Sequence, residues 1–405
     1  MIISILGTTG AKKDNITCLP LDMENSTKAF YNADILKKKS DNYYNSTHFL
    51  LESFEDSFIL IGTKCAITFQ QALLKKSLKN KKVEFKEISD NDLNEVFEVI
   101  FKITQNTVEE ILLDITHGFR HQPIMAIFAS SLSKFLDNTN TQIIFAKEIE
   151  SFKRYECVYL DEYLEITHIS MLLSGFIRTL NFIPIKNLHL INTRAFENFS
   201  KALFSNDIVG VRKYYKKLIH ELGKIENHKE LQYLKPLIYK VQTTLRPLED
   251  LEKEEMFYQY LTLSKITLEK NSLIVALAYS FESLREYCAK RFEPLLKQKN
   301  ISFKNSYELN TAVMDTLSNF KRGRKENFIQ KKLPQLFSKN SSSFHRISKV
   351  YEELRKLRND LAHINKEKEF EDIKRDIKKL NFKIETIYKD NILKVIIQQS
   401  TIFCD

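Results

Sequence analysis

The chain has 405 residues, 43% hydrophobic and 28% charged, which excludes a disordered chain and exceeds one ordinary core, so two or three domains are expected. The net charge of +10 and pI near 9.0 favour a polyanionic partner without identifying it. Five cysteines, Cys18, Cys65, Cys157, Cys288 and Cys404, form no CxxC pair and leave an odd count, which argues against a zinc site and a disulfide framework and fits a reducing cytosol.

The chain opens directly on MIISIL with no basic leader, so no signal peptide is expected. Its longest apolar runs, such as LIVALAY (273–279), fall far short of a bilayer span. The expectation is a soluble cytoplasmic protein with no membrane partner.

In chain order, MIISIL (1–6), SFILIG (57–62), EILLDIT (110–116) and TQIIFAKEI (141–149) are short, β-branched runs that predict buried strands. Between them, AITFQQALLKKSL (66–78), DLNEVFEVIFKIT (92–104) and QPIMAIFASSLSKFL (122–136) carry helical periodicity. That alternation predicts an α/β, Rossmann-like domain with a parallel-sheet core. RYECVYLDEYLEI (154–166) is expected to close it as an edge strand or hairpin. From about 167 the strand signals largely stop and long amphipathic stretches follow, broken at 322–328 and 338–344. The expected division is an α/β domain over 1–166, an all-α connector over 167–260 and an all-α C-terminal domain over 261–405.

Glycine is scarce, eight in 405, and four of the eight follow predicted strands: Gly7 and Gly10 in GTTG, Gly62 in GTK, and Gly118 in THGFR. Ligands of parallel α/β sheets bind at the carboxyl ends of strands, where glycines let backbone N–H groups and helix N-termini approach an anion. Thr8, Thr9, Thr63 and Thr116 add hydroxyls there, Lys64 and Arg120 positive charge, and His117 a switchable donor. Neither GxGxxG nor a Walker-type GxxxxGK[ST] is present. Within LLDITHGFRHQPIMA (112–126), Asp114 reads either as an acid/base group or as a loop cap, and His121 is expected to face solvent beside Arg120. Ligand binding, rather than catalysis, is the expected role of this cluster.

Near the C-terminus, RISKVYEELRKLRNDLAH is strongly helical, with Val350, Leu354, Leu357 and Leu361 on one stripe. Arg358, Asn359 and His363 form an R-x4-H spacing. At about 100° per residue, Asn359 and His363 share a face, whereas Arg358 and His363 stand about 140° apart. One helix therefore does not close both onto one phosphate; two such helices across a dimer can. The residue types suit metal-free RNA cleavage: RNA supplies its own 2′-OH, histidine moves a proton near neutral pH, and arginine holds phosphoryl oxygens. Residues 321–357 hold 11 Lys/Arg against three Glu, an electrostatic path for a nucleic-acid strand.

GTTG with DITHGFRHQP resembles the CARF domain of type III CRISPR-associated proteins, and RNDLAH after a long helix resembles the R-x4–6-H motif of HEPN ribonucleases. The order is similar to that of CARF–HEPN ribonucleases activated by cyclic oligoadenylate. The resemblance implies that Gly7, Thr8, Thr9, Gly10, Gly62, Thr63, Lys64, Thr116, His117, Gly118, Phe119 and Arg120 line an activator pocket at the two-fold axis of a dimer. It implies that Arg358, Asn359 and His363 form a ribonuclease site duplicated across a HEPN dimer, with no metal. Its activator would be cyclic oligoadenylate made by a type III CRISPR effector complex, cyclic tetra-adenylate being the expected ring. Its substrate would be single-stranded RNA, and its assembly a homodimer or higher oligomer. The competing readings are a non-catalytic cyclic-oligonucleotide sensor and a CARF-coupled nucleic-acid-binding regulator.

Overall fold

The computed structural model describes residues 1–21, 28–90, 92–136, 141–184, 188–321, 328–339, 341–362, 369–391 and 393. They fall into two compact units, Met1–Ile169 with Pro184–Ile191, and Ser170–Ile183 with Asn192–Asp405.

The first unit runs β1 (Ile2–Ile5), β2 (Lys12–Lys13), β3 (Pro20–Leu21), β4 (Ala29–Asn32), β5 (Asp41–Tyr43), α1 (Ser46–Ser53), β6 (Phe58–Gly62), α2 (Lys64–Leu73), α3 (Lys75–Leu78) and β7 (Val83–Glu87). It continues α4 (Leu93–Asn106), β8 (Ile111–Asp114), α5 (His121–Phe135), β9 (Thr141–Glu150), β10 (Arg154–Tyr159) and into α6 (Asp161–Thr179). Eight strands make one sheet in the order β5-β4-β10-β9-β8-β1-β6-β7. The five from β9 to β7 are mutually parallel. Alternation along β1 fills both faces: Ile2 and Leu6 join the core with α1 and α2, while Ile3 and Ile5 join the core with α4 and α5. After β1 the chain crosses to β4 and β5 at the far edge, comes back to β6 beside β1 and on to β7, then returns to β8 on the other side of β1. The loops after β1 and β8 thus flank a topological switch point, where such sheets bind ligands.

The 154–166 segment differs from expectation. β10 pairs antiparallel with β9, so the hairpin forms, but β4 and β5 lie beyond it, and α6 begins at Asp161. Unlike the equally short β1 and β8, β4 (AFYN) and β5 (DNY) have no continuous apolar run to mark them. Tertiary contacts define them instead, such as buried Tyr31 stacked on Tyr155 at 4.9 Å between ring centres.

The cysteine reading is also corrected: Cys18 and Cys65 form a disulfide, with Cα atoms 5.3 Å apart. Asp14 closes a tight loop by accepting from the Thr17 amide and hydroxyl at 2.6 and 2.7 Å, and this loop presents Cys18 to the start of α2. The partners are 47 residues apart, so spacing gave no sign of them. The bridge removes the cysteine argument for a reducing compartment. Cys157 and Cys288 are free and buried; Cys404 lies outside the described residues.

The second unit is helical: α7 (Arg194–Phe204), α8 (Ile208–Asn227), α9 (Lys235–Leu245), α10 (Met256–Glu269), α11 (Leu273–Gln298), α12 (Ser306–Lys321), α13 (Phe328–Lys332), α14 (Pro334–Lys339), α15 (Ser341–Ala362) and α16 (Phe370–Lys389). Its largest core joins α10, α11, α12, α15 and α16, and the stripe on α15 enters it as the spacing predicts: Val350, Leu354 and Leu357 are buried and Leu361 packs partly against them. Polar side chains fix register inside this core. Asn381 of α16 donates to Ser264 at 2.8 Å and accepts from Ser280 at 2.6 Å, and the hydroxyls of Ser283 and Tyr388 meet at 2.7 Å. Among the described residues no helix is long and apolar enough to cross a membrane.

Candidate functional site: switch-point loops and the end of α15

At the switch point the loop after β1 meets the loop after β8. A side chain on Gly7 would approach the Gly118 amide nitrogen to 3.2 Å and the His117 Cβ to 3.3 Å, so the close approach requires glycine. Gly118 and Gly10 have φ of +97° and +103°, where a Cβ is disfavoured. No acceptor among the described residues takes the backbone N–H of Thr8, Thr9, Gly10, His117 or Gly118. A cluster of uncommitted amides over converging strand ends is a cradle for an anion.

Buried side chains hold that backbone in place. Asn45 caps α1, accepting from the His48 amide at 2.9 Å, and donates to the Thr9 carbonyl at 2.9 Å and to Gln70 Oε1 at 3.0 Å. Gln70 Nε2 donates to the carbonyls of Gly7 and Thr9 at 2.6 and 3.3 Å. The carbonyls of Gly7 and Thr9 are thereby satisfied from within. Under the other loop, Asp114 is 1% exposed. It accepts from Ser4 and Ser46 hydroxyls at 2.8 and 2.7 Å through Oδ2, and from the Thr116 amide and hydroxyl at 3.0 and 2.5 Å through Oδ1. Of the two roles open to Asp114, this geometry is the loop cap.

The structure separates the sequence-named residues into those exposed at the loops and those buried beneath them. Thr8 is half-buried and Thr9 exposed, on the loop itself. The Thr116 hydroxyl is consumed, donating to Asp114 and accepting from the Ala146 amide at 2.9 Å. Thr63 is buried and caps α2 by accepting from Ala66 at 3.3 Å. Gly62 is a buried strand residue, where a Cβ would come 2.8 Å from that of Leu6. Lys64 is exposed on the first turn of α2 and opens on a cleft of about 440 Å³ that it shares with Cys18, Cys65, Thr68 and Asp90. Arg120 and Phe119 are exposed at the start of α5.

Burial holds the His117 imidazole below its usual pKa, against the opposing pull of Asp114, so the ring is neutral near pH 7. Its Nε2 accepts from the Ser46 amide at 3.3 Å, which leaves Nδ1–H as a donor. His121 does not face solvent as expected. It is half-buried and stacked on Phe119 at 6.1 Å, and its Nε2 is buried without a hydrogen-bonding partner among the described residues. The ring covers the apolar face of its neighbour rather than projecting outward.

Sequence reasoning missed Asn45, Gln70, Ser4 and Ser46. The run YYNSTHF did carry a sign, since Asn before an apolar helix is a capping pattern. Gln70 carried none, because a glutamine inside a helix marks nothing until the fold places it under a loop.

In the second unit, Arg358 and Asn359 are exposed on the last turn of α15, and His363 lies outside the described residues. The Arg358 guanidinium stands 4.5 Å above the centre of the Phe281 ring of α11, a cation–π contact that orders a long exposed side chain. No carboxylate among the described residues pairs with it, which leaves its fork of donors for an anion. No group of three or more His, Cys, Asp or Glu among the described residues is arranged to hold a metal ion.

Residues 6–161 match the family model for the CARF domain of the CRISPR system endoribonuclease Csx1. The N-terminal sheet therefore has a CARF-type, Rossmann-like fold, followed by a mostly helical C-terminal region. No curated protein matches the chain.

Proposed function

We propose that this protein is an endoribonuclease of type III CRISPR antiviral defence, switched on by cyclic oligoadenylate and cutting single-stranded RNA without a metal. The observation that carries the reading is a CARF-type loop cluster whose amides have no acceptor among the described residues, together with an aromatic-backed arginine, in an R-x4-H spacing, that no described carboxylate pairs. The activator-sensing, connecting and ribonuclease parts are assigned to 1–166, 167–260 and 261–405.

Phosphates of the activator would sit on the amides of Thr8, Thr9, Gly10, His117 and Gly118, with Lys64 and Arg120 adding charge. A second copy completes this site. From the Gly118 loop, α5 carries Ile124, Phe128 and Leu132 at i, i+4 and i+8, exposed by 49%, 56% and 41%. Burial of that stripe against its own copy brings two sets of loops to one axis, suited to a ring with two-fold symmetry. Activator binding would favour one arrangement of the dimer, and with it one shape of the shared cleft between two α15 ends.

In that cleft the 2′-OH attacks the adjacent phosphorus and the 5′-oxygen leaves. His363 takes the 2′-OH proton and its counterpart returns one to the leaving oxygen, while Arg358 holds the phosphoryl oxygens and Asn359 orients the histidine. The products are a 2′,3′-cyclic phosphate and a 5′-OH. The test incubates the full chain with fluorogenic RNA, EDTA and cyclic tetra- or hexa-adenylate. Cleavage that needs an activator, survives EDTA and is lost in His363→Ala is expected. Wild-type cleavage by His363→Ala refutes the site, and activator binding without any cleavage identifies a non-catalytic sensor instead.

A further inference from the structure

Arg358 is one end of a chain of contacts between guanidinium groups and aromatic rings. Its guanidinium lies 4.5 Å from the Phe281 ring centre, the Arg285 guanidinium lies 5.6 Å from the same ring, and Arg285 in turn lies 5.3 Å from the ring of Tyr307. Three helices supply the members: α15, α11 and α12. The middle of this series is rigid. Phe281 is buried and stacks on Tyr351 at 5.1 Å, and Arg285 is 8% exposed, paired to Glu282 at 3.0 Å and bonded to Thr311 Oγ1 at 3.0 Å. The far end is open, since Tyr307 is 69% exposed.

A single exposed tyrosine is ordinary surface. Tyr307 differs because a buried guanidinium, bonded to Glu282 and Thr311, backs its ring, and because the same chain of contacts leads to Arg358. An exposed π surface backed by a guanidinium offers its open face to an unpaired nucleobase, whereas a base inside a duplex has no free face to offer. We propose that Tyr307, backed by Arg285, is a nucleobase-stacking subsite for another nucleotide of the strand whose phosphate Arg358 holds. This rests on the ribonuclease reading and adds to it a reason for single-stranded substrate.

The experiment measures binding of a fluorescein-labelled unstructured RNA to activator-loaded His363→Ala chains, and KM and kcat in the cleaving chain. Tyr307→Ala is expected to weaken binding about 5- to 150-fold and to raise KM with kcat little changed, while Tyr307→Phe stays within about twofold of the parent. An RNA with an abasic position opposite the subsite should erase the difference between parent and Tyr307→Ala. Tyr307 is exposed, so these variants keep the fold, and an unchanged melting temperature checks it. Unaltered binding and KM in Tyr307→Ala overturn the subsite alone. Equal losses in Tyr307→Ala and Tyr307→Phe assign the effect to the hydroxyl and overturn stacking. A folded, activator-loaded parent that neither binds nor cuts RNA overturns the ribonuclease reading, and the subsite with it.

Discussion

The two candidate sites are built in opposite ways. At the switch point the groups we propose to meet the activator are backbone amides, and side chains such as Asp114, Asn45 and Gln70 are buried beneath them as scaffolding. At the end of α15 the proposed phosphate-holding and orienting groups, Arg358 and Asn359, are side chains on an exposed helix turn, and the helix stands without them because Val350, Leu354 and Leu357 anchor it from the other side. Stability and function should therefore be inseparable in the first site and separable in the second.

The largest effect expected tests separability. Arg358→Ala should lower activator-dependent RNA cleavage about 10²- to 10³-fold while its melting temperature stays within about 2 °C of the parent. A large loss of stability would show that the arginine is scaffold after all.

Next comes the tether of the first unit. The Cys18–Cys65 bond closes a 47-residue separation, for which loop entropy gives about 4 kcal/mol. Cys18→Ser should lower the first unit's stability by up to that amount, read by urea unfolding without reductant, and leave the second unit's transition in place. Identical parent and variant curves would mean that the bond contributes nothing.

Scaffold substitutions should be smaller but double in effect. Asp114→Asn loses a charged acceptor of four hydrogen bonds and should cost about 2–3 kcal/mol. Gly118→Ala forces a Cβ to within 2.6 Å of Ile5 Cγ2 at a φ of +97°, at about 1–3 kcal/mol. Both should also weaken binding of cyclic oligoadenylate, measured by calorimetry. A variant that loses stability yet binds at parental affinity would break the contrast between the two sites.

The smallest effect is in pH. Burial holds His48 and His168 down to about 4, against about 6.5 in an unfolded chain. Between those values the unfolded chain binds protons that the native one does not, so stability rises with pH through the window and levels above it. Each histidine should contribute roughly 1–3 kcal/mol across that window. Urea midpoints that stay flat over this range would refute the assignment, and His168→Asn should remove part of the slope.

Much of the fold was legible because buried parallel strands and amphipathic helices repeat their signal over many residues. The β1, β6, β8 and β9 runs and the helices between them fall where their patterns put them. β4, β5 and β7 escaped notice: the first two, AFYN and DNY, lack the continuous apolar run of β1 and β8, and β7 is a half-buried edge strand. The loops Gly7–Gly10 and Gly118–Arg120 were recognisable because scarce glycines sat at strand ends. The division of labour within them was not, since a threonine that faces a ligand and one that caps a helix look alike in sequence.

By itself, the sequence determined the α/β-then-helical order, the two glycine loops at strand ends and the anchored stripe beneath Arg358, all of which follow from local periodicity and composition. Only the tertiary structure decided that Gln70 and Asn45 tie back the first loop, that Cys18 meets Cys65, and that Arg358 leads through Phe281 and Arg285 to Tyr307. Those are contacts between residues far apart along the chain, and no local pattern encodes a distance that is set by packing.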